Sequence, residues 1–238
     1  MRLALETATD RASVALGTSS TDAVTREIGG ARRHAAELLP VIDAVLREAG
    51  VRLDAVRGIV LSDGPGSFTG LRVGAAVAKA LVQARGLPLW IAPSLMVRAA
   101  GVAQPGATVL ALSDALRGEL YAAAYQFNAA GVRTLLAPAV RRPEELVAGT
   151  LSPDVLVGEL PDPARELLER WAGRAVVGPP AGRPHARMLL DLVGRPGGAA
   201  RVEPVEGWQP VYGRPAEAQA RWETAHGRPL PDSIGSRG

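Results

Sequence analysis

Short apolar runs open the chain, and their spacing predicts strands. Residues 2–6 and 12–18 are rich in residues that favour β-structure, and the polar turn TATDR separates them. A weaker run covers residues 23–28, so the pattern predicts a three-strand antiparallel meander. Two further strands are predicted at 58–62 and 89–92, because these apolar runs are continuous, as in strands that are buried on both faces.

Helical spacing occurs twice between these strands. Apolar residues recur every three or four positions over residues 32–49, and Gly50 follows where glycine commonly ends a helix. Pro40 lies inside this segment and should kink or interrupt the helix. A second helix is predicted over residues 67–85, with Gly86 as its stop. Strand–helix–strand units of this length favour parallel pairing, so the order βββαβαβ predicts a mixed sheet.

The second half repeats these patterns more loosely. Its predicted elements are strands at 108–114, 119–127 and 132–140, a helix at 143–148, a strand at 155–157, a helix at 163–171, a strand at 175–177 and a helix at 183–193. Each half opens with a meander and then alternates helices and strands, which predicts an α/β protein of two duplicated lobes with a degraded second copy. We expect lobes at 1–101 and 102–215, and a C-terminal segment at 216–238 that is disordered from Gly227.

A glycine-rich stretch, DGPGSFTGLRVG, follows the strand at 58–62 and has the composition of a phosphate loop. The P-loop template requires lysine after its last glycine, but leucine and arginine follow Gly70. The dinucleotide template also fails, because Thr69 stands where the third glycine is required. Both specific nucleotide templates are therefore excluded. A generic anion site at the helix N-terminus stays open, with free N–H groups from Ser67 onward.

The glycines of this stretch have a second explanation, which is helical spacing. A stripe of small residues consists of Gly66, Gly70, Gly74 and Ala78. An apolar stripe beside it, which we expect to face the sheet, consists of Val73, Val77 and Leu81. Glycine inside a helix costs about 0.5–1 kcal/mol relative to alanine, so two interior glycines predict that another backbone packs closely. That backbone could be the first helix of this chain or a helix of a partner.

Composition and charge indicate a soluble globular protein. The chain has 238 residues, 47% of them hydrophobic and 21% charged, no cysteine and no apolar run of membrane-spanning length. The apolar run at the N-terminus is too short for a signal peptide, so we expect a cytoplasmic protein. The net charge is +3, yet a single lysine stands among 27 basic residues and the arginines are scattered. That pattern favours the codon usage of a GC-rich genome over a nucleic-acid surface.

The residues alone do not identify a catalytic centre. The three histidines, His34, His185 and His226, form no H-x-x-x-H pair, so no metal site is predicted. A polar turn after the first strand consists of Glu6, Thr7, Thr9 and Asp10. In folds of two duplicated lobes such a turn often faces a nucleotide in the cleft, and Ser67 is a weak candidate for an anion contact at the start of the second helix. An ordinary hairpin turn explains the same residues.

Several segments together resemble the TsaB family, the bacterial accessory subunits for threonylcarbamoyladenosine synthesis on tRNA. They are LALETATDRASVAL, RRHAAELLPVIDAVLREAG, DGPGSFTGLRVGAAVAKAL, GLPLWIAPSL and, less strongly, PVYGRP near the end. The resemblance implies the two-lobed actin-like fold of sugar kinases and heat-shock ATPases. It also implies a partnership with TsaD, the catalytic relative, whose H-x-x-x-H metal site follows the equivalent of the GLPLWIAPSL strand. Here APSLMVRAAG follows without histidine.

The resemblance therefore implies a non-catalytic scaffold without a cofactor of its own, although weak nucleotide binding at a subunit interface stays open. The implied partners are a TsaD-type subunit, a TsaE-type ATPase or a second copy of this chain, with tRNA contacted indirectly and no membrane. The implied partner-binding residues are His34, Leu38, Leu39, Ile42, Gly66, Gly70, Leu71, Gly74 and Ala78. The alternative is an independent metallopeptidase-like or ATP-dependent enzyme of the same fold.

Overall fold

A computed structural model describes residues 1–30 and 33–213. In the first half the strands are β1 (Arg2–Glu6), β2 (Arg11–Gly17), β3 (Val24–Gly29), β4 (Ile59–Ser62) and β5 (Leu89–Ala92), and the helices are α1 (His34–Glu48), α2 (Phe68–Arg85) and α3 (Ser94–Ala100). In the second half the strands are β6 (Thr108–Asp114), β7 (Leu120–Asn128), β8 (Gly131–Arg141), β9 (Val155–Glu159), β10 (Val176–Val177) and β11 (Ala200–Arg201), and the helices are α4 (Pro143–Ala148), α5 (Asp162–Ala172) and α6 (Ala186–Leu192).

Two mixed sheets are built in the same way, which confirms the predicted α/β fold of duplicated lobes. The first has the order β11-β5-β4-β1-β2-β3, with β1 antiparallel to β2 and parallel to β4. The second has the order β10-β9-β6-β7-β8, with β6 antiparallel to β7 and parallel to β9. In each sheet the first strand of the meander is therefore the central strand, because a crossover returns on its other side.

The helices and sheets form five layers. Helices α1 and α2 cover the outer face of the first sheet, and α4 and α5 cover the outer face of the second. Between the sheets lie α3 and α6, within one apolar cluster that includes Val60, Leu95, Tyr125 and Leu189. The two lobes therefore share a continuous core.

The C-terminal part of the described chain returns to the first sheet. Helix α6 packs on β1, β2 and β4, and β11 pairs with β5. The division at 101/102 stays a prediction, but these two elements lie with the first sheet, although they come late in the chain. The predicted segment 216–238 lies outside the described residues.

Helix α1 runs unbroken through Pro40, so the predicted interruption is wrong. Proline cannot donate to the carbonyl of residue 36, one turn earlier. Both Ala36 and Pro40 are exposed, so this part of the helix faces solvent, where an unpaired carbonyl costs little. The predicted stops are confirmed, since Gly50 and Gly86 have left-handed φ values of +66° and +60°.

Candidate functional site

The outward surfaces of α1 and α2 carry an unusual amount of apolar side chain. Leu39 on α1 is 58% exposed. On α2 the apolar side chains of Val73, Val77 and Leu81 are half-buried, at the edge of the apolar cluster of the first sheet. A shallow groove of about 480 Å³ is lined by Leu39, Ile42, Leu46, Val51, Leu53 and Leu81, and its rim is formed by Asp43, Arg47, Arg52, Asp54 and Arg85. We call this surface the α1–α2 face.

The glycine stripe packs inside this chain, on the turn between β1 and β2. A Cβ atom at Gly66 would lie 2.3 Å from the Ala8 carbonyl oxygen, and one at Gly70 would lie 2.1 Å from the Thr7 carbonyl oxygen. At Gly74 it would lie 2.3 Å from the Thr7 hydroxyl. The prediction that another helix fills this space is therefore wrong. The stripe of Val73, Val77 and Leu81, which was expected to face the sheet, is only half-buried and packs against the apolar cluster of the first sheet from its edge.

Most of the other residues predicted to bind a partner are also buried in this chain. His34, Leu38 and Ala78 have no exposed surface, and Leu71 and Ile42 are almost fully buried. His34, Leu38, Leu71 and Ala78 therefore present no surface to a second protein, so the prediction fails for these four residues. Leu39 alone among the predicted residues of α1 is exposed, although Ile42 forms part of the groove floor.

The polar turn after β1 serves the fold. Thr9 donates its hydroxyl to the Arg11 carbonyl at 2.9 Å, and the ring of His34 donates to the Asp10 carbonyl at 3.2 Å. Glu6 and Thr7 have no exposed surface. The hypothesis that this turn meets a nucleotide is not supported, because its groups bond within the chain or are buried.

Ser67 is the N-cap of α2 and does not present a free anion site. Its hydroxyl accepts the Gly70 N–H at 3.2 Å, and its own N–H donates to the Ala8 carbonyl at 2.7 Å. The N–H groups of Ser67 and Gly70 are therefore satisfied by oxygen atoms of the chain itself.

A buried polar cluster lies at the carboxyl ends of β1 and β4. Burial raises the pKa of Glu6 to about 7, while the Ser62 hydroxyl, the Ala8 N–H and the Arg98 guanidinium oppose this rise and the Asp63 carboxylate adds to it. The Ala8 N–H donates to Glu6 Oε1 at 2.7 Å. The Ser62 hydroxyl lies beside the carboxylate without a hydrogen bond of good geometry to Oε2. A protonated Glu6 is therefore compatible with neutral pH.

The second sheet contributes to the same cluster. Burial also raises the pKa of Asp63 to about 6, against the effect of its own backbone N–H. Burial, and then the charge of Asp63, raises the pKa of Tyr125 on β7, whose hydroxyl has no hydrogen-bond partner among the residues that the structure describes. The cluster thus joins acidic groups of both lobes at the interface between them.

Arg98 links the two sheets electrostatically. It is 2% exposed, and burial lowers its pKa, while the charges of Glu159 and Glu6 oppose this effect. Its Nη1 donates to the Gly182 carbonyl and lies 3.9 Å from Glu159 Oε1. Because Glu6 ends β1 and Glu159 ends β9, one guanidinium lies between carboxylates of both lobes.

A C-terminal strap, residues 208–213, crosses the glycine-rich turn. The Val211 N–H donates to the Asp63 carbonyl at 2.7 Å, and a Cβ atom at Gly64 would lie 2.0 Å from the Val211 carbonyl oxygen. The ring of Tyr212 lies 4.7 Å from that of Phe68, and the Arg72 guanidinium lies 4.2 Å above the Phe68 ring. The strap therefore covers the turn that the sequence offered as a ligand loop.

Sequence reasoning missed Arg98, Asp63 and the strap. One signal was present for Arg98, because a lone arginine inside the apolar segment SLMVRAA is typical of a buried charge with a partner. The strap overlaps the segment PVYGRP, which contributed to the family resemblance, but nothing in that segment predicts its contact with the glycine-rich turn. Within residues 1–30 and 33–213, no group of three or more His, Asp or Glu side chains could hold a metal ion. No helix in the described part of the chain is long and apolar enough to cross a membrane.

Comparisons with known proteins identify relatives over most of this fold. The family model described as "TsaD: tRNA N6-adenosine threonylcarbamoyltransferase" matches residues 15–161. The tRNA threonylcarbamoyladenosine biosynthesis protein TsaB of Escherichia coli is 38% identical over 132 residues, which are 55% of this chain and 57% of that protein. Its Bacillus subtilis counterpart is 27% identical over 199 residues, 80% of this chain and 84% of that protein. The chain spans about half the length of the E. coli and Haemophilus influenzae relatives, 57% and 51%.

Solved structures agree with the architecture. YeaZ from Pseudomonas aeruginosa has a TM-score of 0.66 and 34% identity, covering 82% of this chain and 91% of YeaZ. The ethanolamine utilization protein EutJ from Carboxydothermus hydrogenoformans has a TM-score of 0.52 at 10% identity, covering 81% of this chain and 90% of EutJ, and shows the fold alone. The predicted actin-like, two-lobed fold is confirmed. The chain therefore belongs to the TsaD-type tRNA N6-adenosine threonylcarbamoyltransferase family, and within it to the TsaB group.

Proposed function

We propose that this protein acts in threonylcarbamoyladenosine synthesis on tRNA, as the non-catalytic partner that binds a TsaD-type subunit through the α1–α2 face. The observation that carries the proposal is the exposed apolar surface around Leu39, next to the half-buried valines of α2. Full burial of one leucine side chain stabilises by about 1.5–3 kcal/mol, so leaving it in water is unfavourable for a protein that acts alone. Apolar surface with a charged rim is typical of protein-binding sites.

The shape of the α1–α2 face suits a partner that also presents helices. Alanines on the exposed side of both helices are Ala35, Ala36, Ala76 and Ala80. Small side chains let a second pair of helices approach closely, so that Leu39 can insert between them. In this proposal the exposed alanines, and not the glycines, allow the close approach of a partner helix.

Two observations support a non-catalytic role. The polar groups where a nucleotide would be expected, Glu6 and Thr7, are buried, and Ser67 bonds within the chain. The segment after β5 carries Arg98 where the resemblance to TsaD calls for a histidine pair. The names of the relatives from E. coli and B. subtilis support the placement in this modification.

The same face also offers a surface for a second copy of this chain, which would then compete with the TsaD-type subunit. A TsaE-type ATPase completes the proposed assembly, and tRNA is contacted through the catalytic subunit. In the absence of the catalytic subunit, we expect a homodimer at high protein concentration.

Reconstitution tests the proposal. This protein and the TsaD-type subunit of the same organism should elute as one complex in size-exclusion chromatography, and threonylcarbamoyl transfer to tRNA should require both. Full transfer by the TsaD-type subunit without this protein would contradict the proposal. Turnover of ATP or a peptide by this protein alone would instead support the independent enzyme.

A further inference from the structure

A second groove lies in the other lobe, at the end of the second sheet. The turn between β6 and β7 and the first turns of α4 and α5 enclose about 330 Å³. Its apolar lining consists of Leu116, Leu120, Pro143, Pro161, Pro163, Ala164 and Leu167. We call it the Leu116 groove. Helices α4 and α5 form the outer layer opposite to α1 and α2. The surface of a protein that binds the α1–α2 face therefore does not contact the Leu116 groove.

The backbone beside this groove has an unfavourable conformation. Leu116, Arg117 and Gly118 have successive left-handed φ values of +64°, +56° and +76°. Residues other than glycine rarely adopt this region, and such strain is concentrated at functional sites. Asp114 Oδ1 accepts the Leu116 N–H at 2.7 Å, which holds the turn.

This conformation keeps a leucine in water. Leu116 is 64% exposed, and it lies beside a groove whose apolar lining could have received it. The chain thus combines an unfavourable backbone with an unfavourable exposure at one residue. A partner that covers Leu116 explains both features.

The charges around the groove favour a basic partner. Its charged lining consists of Asp114, Glu119, Glu144 and Arg117, and Glu119 already interacts within the chain, so the carboxylates of Asp114 and Glu144 remain against one guanidinium. Nucleic-acid phosphates and anionic lipid headgroups would be repelled by this balance, whereas lysine or arginine side chains would be attracted.

We propose that the Leu116 groove binds a segment of another protein that carries one large apolar side chain flanked by lysine or arginine. The apolar side chain enters the groove and packs against Leu116, and the flanking cations pair with the carboxylates of Asp114 and Glu144. The partner is distinct from the one at the α1–α2 face, and the site does not depend on the function proposed above.

Site-specific photo-crosslinking in the full-length chain identifies the partner. The variant Arg117→p-benzoylphenylalanine places the reactive group at the rim and leaves Leu116 and all three carboxylates in place. The expected product is a protein whose crosslinked peptide contains an apolar residue flanked by lysine or arginine. The proposal is overturned by a crosslink to RNA or to a second copy of this chain, by a peptide without basic residues, or by the absence of any crosslink.

A matched variant then separates binding from folding. Because glycine adopts positive φ readily, Leu116→Gly removes the side chain while it relieves the turn. The crosslinked segment, made as a labelled synthetic peptide, should bind Leu116→Gly at least tenfold more weakly than wild type, while the melting temperature stays equal or rises. Glu144→Lys should weaken binding severalfold and reduce its dependence on salt, and Leu39→Ser should bind normally. Wild-type affinity in Leu116→Gly would overturn the proposal.

Discussion

The Thr7 carbonyl oxygen occupies the space that a side chain at Gly70 would need, since a Cβ atom there would lie 2.1 Å from it. The Thr7 hydroxyl does the same at Gly74, at 2.3 Å. Helix α2 therefore lies with its small residues on the β1–β2 turn, and this contact fixes the rotation of the helix. The rotation in turn leaves the row of Val73, Val77 and Leu81 half-buried at the edge of the apolar cluster.

Gly70→Ala should lower the free energy of unfolding by about 3 kcal/mol, because a backbone oxygen atom cannot move aside as a side chain can. Chemical denaturation monitored by circular dichroism measures this loss. As a control, Ala80→Gly changes an exposed position of the same helix and should cost only about 1 kcal/mol. A Gly70→Ala variant as stable as wild type would show that the Thr7 contact is not tight.

The contact made by the glycine stripe could be predicted from the sequence only in part. Spacing by four placed Gly70 and Gly74 on one line of α2, and their cost correctly predicted a close backbone. A rotation of the helix about its axis would exchange two adjacent stripes, however. The contact that sets this rotation is made by Thr7, which lies about sixty positions earlier in the sequence. Local periodicity carries no information about that contact, so the choice between the stripes was wrong.

The strands of both meanders were predictable because each depends on its own short apolar run. Helix α3 was missed, since seven residues give too little periodicity, and Arg98 was missed with it. The return of β11 to β5 joins residues more than a hundred positions apart. No local pattern predicts such a pairing, and it needs the completed sheet.

Stability should fall as the pH rises through the titration of Glu6. The pKa of this carboxyl is raised from 4.5 in the unfolded chain to about 7 in the fold. The folded state therefore holds the proton more tightly, so the stabilisation is fully present below the unfolded value and is lost as the pH approaches 7. Asp63, whose pKa rises to about 6, acts in the same direction.

Glu6→Gln isolates this effect, because the amide does not titrate. The unfolding free energy of the variant minus that of wild type should therefore rise by up to roughly 3 kcal/mol from about pH 5 to pH 8. Urea denaturation at both pH values measures the difference. If the difference in unfolding free energy between variant and wild type is the same at pH 5 and pH 8, Glu6 does not bind its proton more tightly in the folded state.

Arg98→Met should lower the free energy of unfolding by about 3–5 kcal/mol, because Glu6 and Glu159 lose the cation that lies between them. Adding Glu6→Gln should recover part of that loss, with a coupling of about 1–2 kcal/mol in the double-mutant cycle. Arg183→Met is the control. Arg183 lies at the same 3.9 Å from Glu159 but is more exposed, so the loss should be about 1 kcal/mol or less. Equal losses for Arg98→Met and Arg183→Met would contradict the link between the two sheets.

The most direct test of the proposed function is the dissociation constant for the TsaD-type subunit, measured with Leu39→Ser. Affinity should fall at least about tenfold, or about 1.4 kcal/mol, while the melting temperature is unchanged because the side chain is exposed. Leu116→Gly, which removes a similarly exposed leucine from the turn between β6 and β7 in the other lobe, should bind normally. Wild-type affinity in Leu39→Ser would contradict the α1–α2 face as the binding surface.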